Sequence, residues 1–169
     1  MPWKEVEPVY DPSVRYLCQR RYSGHPRGCP NYGKKAGCPP KAPLFYDVLD
    51  AQRPIYAIWN DFALGEHIAR MREKHPSWSE RQLACCLYWQ PRARLYLRRH
   101  VHYFLLSGEG KMRVLWCPEA AGINVTATMR RAGVELEWPP RKIAYQVVLV
   151  GFPVSPISVH SVTSVAEEL

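Results

Sequence analysis

No two of the six cysteines in this 169-residue chain form a C-x2-C pair. That argues against the close-spaced ligand pairs from which zinc ribbons and fingers are built. Acidic residues are missing altogether between Pro12 and Tyr46, a stretch that carries seven basic side chains: Arg15, Arg20, Arg21, Arg27, Lys34, Lys35 and Lys41. No apolar run reaches the length of a membrane-spanning helix, and the opening residues, MPWKEVEPVY, hold no hydrophobic leader segment. A soluble, cytoplasmic protein with no membrane insertion is expected. The G-x-S-x-G, H-E-x-x-H, P-loop and dinucleotide fingerprints are absent as well, so no common catalytic motif assigns a reaction.

What the chain does have is a cysteine-rich segment, Cys18 to Pro40, reading CQRRYSGHPRGCPNYGKKAGCPP. Gly and Pro are too frequent there for a helix or a central strand. A loop of this length needs a function or a clamp to stay ordered in a compact domain, and thiolates converging on one metal centre would supply it. Cys29 and Cys38 are each followed by proline, and Cys117-Pro118 repeats the dipeptide far downstream. Proline fixes the outgoing chain direction, which suits a ligand on a rigid turn, and a Cys-Pro step also ends the bacterial ferredoxin ligand run. In a reducing cytosol, clustered cysteines read as metal-binding or catalytic sooner than as a disulfide.

Cys18, Cys29, Cys38 and Cys117 are therefore the candidate cofactor and metal ligands. Four thiolates suit an iron–sulfur cluster, 4Fe–4S, or a structural zinc. The missing close pairs and the three Cys-Pro steps favour the cluster. His25 is the substitute ligand should one cysteine not take part. Cys85 and Cys86 fall within an expected helix, where neighbours point about 100° apart, and are assigned to the core as small hydrophobes.

Net charge is +8. The basic stretch has three readings: it lowers thiol pKa values and offsets thiolate charge, it forms a phosphate footprint with Tyr16, Tyr22 and Tyr32 for stacking, or it is a solvated loop. Arg92, Arg94, Arg98 and Arg99 mark a second basic side, on a helix, whose plain reading is a wet face. Histidines 67, 75, 100, 102 and 160 show no ligand spacing, and Asp47, Asp50 and Asp61 are isolated carboxylates.

Along the chain, an extended lead-in (1–14) precedes a short strand at Tyr16-Leu17 that delivers Cys18. A helical turn is expected within Ala42–Leu49, and a strand covered on both faces over Arg53–Phe62. A helix follows over Leu64–Lys74, with Ile68 and Met71 inward. A capping box at Ser77 and Glu80 opens the next helix, through Trp89, and Arg92–Leu106 continues helically with Leu97, Val101, Phe104 and Leu105 buried. Strands at Lys111–Trp116, Val134–Trp138 and Ile143–Gly151 and an Asn124-capped helix to Arg131 complete the pattern. The whole is expected to be one α/β domain over 1–151, a small mixed sheet flanked by helices with an irregular N-terminal cysteine-rich metal-binding loop. A tail covers 152–169.

Three segments carry a resemblance: CPNYGK and CPP (Cys29–Lys34, Cys38–Pro40), HPSWSERQLACCLYWQ (His75–Gln90) and CPEAAGINV (Cys117–Val125). Over roughly residues 14 to 151 the chain resembles a bacterial and archaeal family of predicted metal-binding proteins, a domain of unknown function. The resemblance implies a cysteine-bound metal on Cys18, Cys29 and Cys38. The family pattern has further cysteines ahead of the segment matching Pro118–Ile123, where this chain has Cys117 alone. It implies no reaction.

The expected function is that of a metal-binding accessory protein. It would hold one cysteine-ligated cluster for electron transfer, for sulfur or cluster handling, or within a larger redox assembly, with a redox or assembly protein as partner. The alternatives are a zinc-stabilised nucleic-acid-binding module using the basic loop and the Arg92–Arg99 helix, and an enzyme whose three-cysteine site leaves a position open to substrate.

Overall fold

A computed structural model of the chain describes residues 2–21, 26–108 and 111–155. Its elements, in order, are strand β1 (Trp3–Glu5), a 3-10 helix (Pro12–Gln19), helix α1 (Phe45–Val48), strand β2 (Ile55–Phe62), helices α2 (Leu64–Lys74) and α3 (Glu80–Leu83), and a 3-10 turn (Cys86–Tyr88). Helix α4 (Gln90–Ser107), strand β3 (Arg113–Leu115), a second 3-10 helix (Pro118–Ala121), helix α5 (Val125–Arg131) and strand β4 (Ala144–Gly151) follow.

The sheet is built on β2 and β4, which pair antiparallel over their full length with Ile58 opposite Val148 and Ala57 opposite Leu149. Both are rich in the β-branched and aromatic residues that fit a pleated surface. β1 adds to β2 and β3 to β4, giving the order β1-β2-β4-β3. The expected single α/β domain with a small sheet flanked by helices is present, and each of its three pairings is antiparallel.

Because side chains alternate along a strand, the two central strands divide their apolar residues between two cores. Ile55, Ala57 and Leu149 face one way, into a cluster with Phe45, Leu49, Leu115, Ile123 and Met129. Ile58, Val148 and Val150 face the other and meet Leu97, Val101 and Phe104 of α4. Each side chain so buried contributes about 1.5–3 kcal/mol. A third cluster, Leu64, Trp89, Ala93 and Ala144, closes the end of the sheet where α2 and α4 begin. No helix of the described residues is long and apolar enough to cross a membrane.

Several local expectations are corrected. Tyr16-Leu17 is not a strand but part of the 3-10 helix, because Asp11 caps that segment, accepting from the Ser13 backbone N–H, and Pro12 occupies its first position. Ser79, not Ser77, is the N-cap, paired reciprocally with Gln82; Glu80 is instead engaged by Arg72. The helix does not continue through Trp89. It stops at Leu83, and the Trp89 ring turns inward to stack on Phe62 at 4.9 Å while its Nε1 donates to the Ala84 carbonyl. The six residues from Ala84 to Trp89 leave the α-helical path, and the indole is buried. Cys85 and Cys86 consequently lie in a turn, half-buried and exposed, and are not core residues. In α2 the buried residues are Leu64 and His67, with Ile68 and Met71 only half-buried.

Val134–Trp138 forms no strand. The chain there is held by the Glu137 carboxylate, which accepts from the backbone N–H groups of Lys142 and Ile143, both at 2.9 Å. Of the expected tail, Phe152 accepts from the Asp50 N–H and Pro153 bridges to Leu49; residues 156–169 lie outside the described residues.

The lead-in is anchored at Gly122. Its carbonyl accepts from the Asp11 N–H at 2.7 Å, beside a bridge between Tyr10 and Ile123. Gly122 has φ +87°, and a Cβ would stand 3.1 Å from the Tyr10 ring and 3.2 Å from the Pro12 Cα. Gly122→Ala is expected to cost about 1–2 kcal/mol from the left-handed backbone alone, more with the clash. A denaturant titration showing unchanged stability would refute this account of the anchor.

Candidate metal centre

Cys18 lies near the end of the first 3-10 helix, and its carbonyl accepts the Cys29 N–H at 2.7 Å. That bond closes the loop between the two cysteines, and it requires Gly28. With φ +80°, Gly28 passes so near that a Cβ would sit 2.6 Å from the Cys18 carbonyl oxygen. A second closure joins the Gly33 N–H to the Pro39 carbonyl at 2.8 Å, and turns at Cys29–Tyr32 and Lys35–Cys38 fill the space between. Arg15 then donates to the carbonyls of Pro40 and Ala42, both at 2.9 Å, and the Gln19 amide donates to the Tyr32 hydroxyl. The segment is irregular, yet among its described residues the backbone N–H groups of Arg20, Cys29, Tyr32, Gly33, Lys34 and Cys38 all find carbonyl partners.

Cys117 arrives from the sheet. β3 delivers it two residues past Leu115, and it forms the N-cap of the second 3-10 helix, with the Ala120 N–H donating to its carbonyl. The two 3-10 helices lie against one another. This contact brings Cys117 beside the loop that carries the other three cysteines.

The electrostatics record the convergence. The Cys18 thiol is pushed up from its ordinary pKa first by burial, then by the negative charge of Cys29, Cys38 and Glu119. Cys117, exposed as a residue, has its thiol crowded by protein and is likewise raised by desolvation first, then by Glu119, Cys38 and Cys18, with Arg94 of α4 opposing. Cys18, Cys29, Cys38 and Cys117 thus share one charge neighbourhood. Glu119, whose residue is exposed overall, has its carboxyl crowded by protein, and desolvation raises its pKa too. Coordination is a stricter test than charge range. Among the described residues no three His, Cys, Asp or Glu side chains are placed to hold a single ion.

One electrostatic expectation is reversed. Among the described residues no basic side chain of the loop figures in the shifts of Cys18 and Cys117, which are both upward; Arg94 opposes that of Cys117. Arg20, Arg21, Arg27, Lys34, Lys35 and Lys41 are all exposed, where water screens them. His25 and Tyr22 lie outside the described residues. Tyr16 is exposed and Tyr32 half-buried, and together with Pro12, Ser13, Arg15, Pro39 and Pro40 they line a cavity of ≈ 420 Å³ along the loop. Asp47 and Asp50 accept from the backbone N–H groups of Leu44 and Gln52 and belong to turns, not to an acid/base pair.

Glu119 and Arg94 are the members that sequence reasoning missed. Glu119 stands two residues after a candidate ligand, which was a usable signal. Arg94 had none, since only the packing of α4 on the sheet puts its charge within range of Cys117.

Comparison of the chain with protein-family models, with curated proteins and with solved structures returns no match.

Because Gly28 alone permits the Cys18–Cys29 hydrogen bond, Gly28→Ala is expected to part those two cysteines. Limited proteolysis should then cleave the 18–40 loop several times faster, while the sheet, followed by circular dichroism, stays intact. Equal cleavage rates would show that the loop is held elsewhere.

Proposed function

We propose that the chain holds one iron–sulfur cluster, 4Fe–4S, on Cys18, Cys29, Cys38 and Cys117, and serves as an accessory protein in electron transfer or in sulfur and cluster handling. The observation that carries this reading is the placement of the cysteines: the Cys29 N–H donates to the Cys18 carbonyl, and the 3-10 helix that bears Cys18 lies against the one that Cys117 caps. The upward shifts of Cys18, Cys117 and Glu119 favour their neutral forms in the metal-free chain, and a cation bound among them would displace the thiol protons and remove the repulsion. The resemblance to a metal-binding family points the same way.

Four thiolates are the donor set that a cluster takes. Thiolate is the soft ligand such clusters take. A tetrahedral zinc would need its sulfurs about 2.3 Å from a single point, and no trio of that kind is formed among the described residues. A cluster spreads its four thiolates over separate irons and accepts a wider arrangement. When bound, it would supply one-electron chemistry.

The protein's own part is positioning and charge. Pro30, Pro39 and Pro118 fix the chain leaving three of the four ligands. The Cys18–Cys29 backbone bond sets the spacing of two of them. Arg94 offsets negative charge at Cys117, and exposure of Cys117 and Trp116 leaves that corner open to a protein partner. Free thiols in this number suit a cytoplasmic setting, where they stay reduced.

Protein purified without oxygen is expected to be brown and to contain iron and acid-labile sulfide. Cys117→Ser should lose or destabilise the metal, whereas the Cys85→Ala, Cys86→Ala double variant should retain it. Colourless protein with stoichiometric zinc would replace the cluster with the zinc reading. Full occupancy after Cys117→Ser would favour a three-cysteine site open to substrate.

A further inference from the structure

Helix α4 presents a surface that the cysteine site does not use. From Gln90 to Ser107 the helix has no acidic residue and four arginines. Leu97, Val101 and Phe104 turn inward onto the sheet, and the 3.6-residue repeat therefore sends Leu95, Arg98, Arg99, His102, Tyr103 and Leu106 outward. All six are exposed, Tyr103 at 63% and Leu106 at 70%. At 18 residues the helix is about 27 Å long.

The positive charge on this face is not neutralised from within. Among the described residues the ion pairs are Arg70–Glu66, Arg72–Glu80 and Arg130–Glu135, and none draws on α4. Arg92 is occupied with the Tyr96 hydroxyl, which leaves Arg98 and Arg99 as open guanidinium forks. They line a depression of ≈ 400 Å³ together with His102 and Tyr103. Two guanidiniums, an imidazole and a phenol ring thus share one concavity, with no carboxylate among them.

We propose that this outer face of α4 binds single-stranded nucleic acid, with Arg98 and Arg99 on the phosphates and Tyr103 stacked under an unpaired base. Arginine forks match phosphate oxygens in a bidentate manner. Exposed aromatic rings beside them give a stacking platform that any base can use. An acidic protein would satisfy the guanidiniums but would leave the exposed phenol without a role. The proposal does not depend on what the cysteines hold, since Arg98 and Arg99 belong to the outward face and the metal content is measured on the same sample.

The test is fluorescence anisotropy of the intact, anaerobically purified protein with labelled oligo-dT and oligo-U of about 15 nucleotides, within the range that such surfaces occupy. Binding is expected at low salt and should weaken steeply as salt rises. Arg98→Ala with Arg99→Ala should reduce the slope of log K against log salt by about 1.4, two phosphate contacts at about 0.7 each. Tyr103→Ala should weaken binding roughly five-fold or more with the salt slope kept. Stronger binding of oligo-U than of oligo-dT would assign the site to RNA, and the reverse to DNA.

A duplex of the same length should bind more weakly, because its bases are already stacked, and equal binding would overturn the single-strand assignment. No binding at low salt would overturn the proposal altogether. So would loss of binding on changing Arg20, Arg21, Lys34 and Lys35 to Ala while the α4 variants bind normally. Full competition by polyglutamate, with no effect of Tyr103→Ala, would identify an acidic protein surface instead.

Discussion

The contact between the two 3-10 helices is the constraint on which the site depends. The Asp11 N–H donates to the Gly122 carbonyl, and the Asn124 N–H donates to the Val9 carbonyl, so the N-terminal segment is held to the turn that follows Cys117. Buried Thr128 adds a third tie by accepting from the Val9 N–H. These bonds join stretches separated by more than a hundred positions. Without them Cys18 and Cys117 would belong to independent parts of the surface. A hydrogen bond contributes only about 0.5–1.5 kcal/mol net, but three on neighbouring backbone groups specify one register. Register is what a multi-ligand site requires.

The sheet gives that contact a fixed reference. β2 and β4 are covered on both faces, so neither can shift by one residue without sending its whole apolar set to the wrong core. β3 is only three residues long, yet its pairing of Leu115 with Leu149 fixes where Cys117 emerges. On the opposite face α4 is seated by Leu97, Val101 and Phe104, and the same seating places the Arg94 charge within range of Cys117. A helix packed for apolar reasons thereby sets the electrostatics of a thiol.

The elements that the sequence made legible are those with a periodic apolar pattern. β2, β4, α2, α4 and the Asn124-capped α5 lie where alternation or the 3.6-residue repeat places them. Legibility failed where a tertiary contact overrode a local signal. Trp89 broke a helix that its neighbours would have continued, because stacking on Phe62 placed its indole in the core. The capping box was expected at Ser77 with Glu80, whereas Ser79 caps the helix with Gln82 and Glu80 pairs with Arg72. Tyr16-Leu17 looked like a strand because the capping signal of Asp11-Pro12 was passed over. For the site, the four cysteines were identified from residue type and the Cys-Pro steps. Their electrostatic setting was not, since it depends on Glu119 and Arg94 meeting them in space.

The direction of the thiol shifts bears on why the basic loop exists. Had its cations been arranged to activate the cysteines, they would stand among the charges felt by Cys18 and Cys117, and both pKa values would fall. Both rise instead, and the loop's lysines and arginines are exposed, where water screens them. Charge held on the outside of a site does not tune the atoms within it. Its physical consequence is long-range: a protein of net charge +8 attracts anionic partners before any contact forms. The arginines of α4 add to that same field. Arg94, also exposed but carried by a helix seated on the sheet, opposes the upward shift of Cys117.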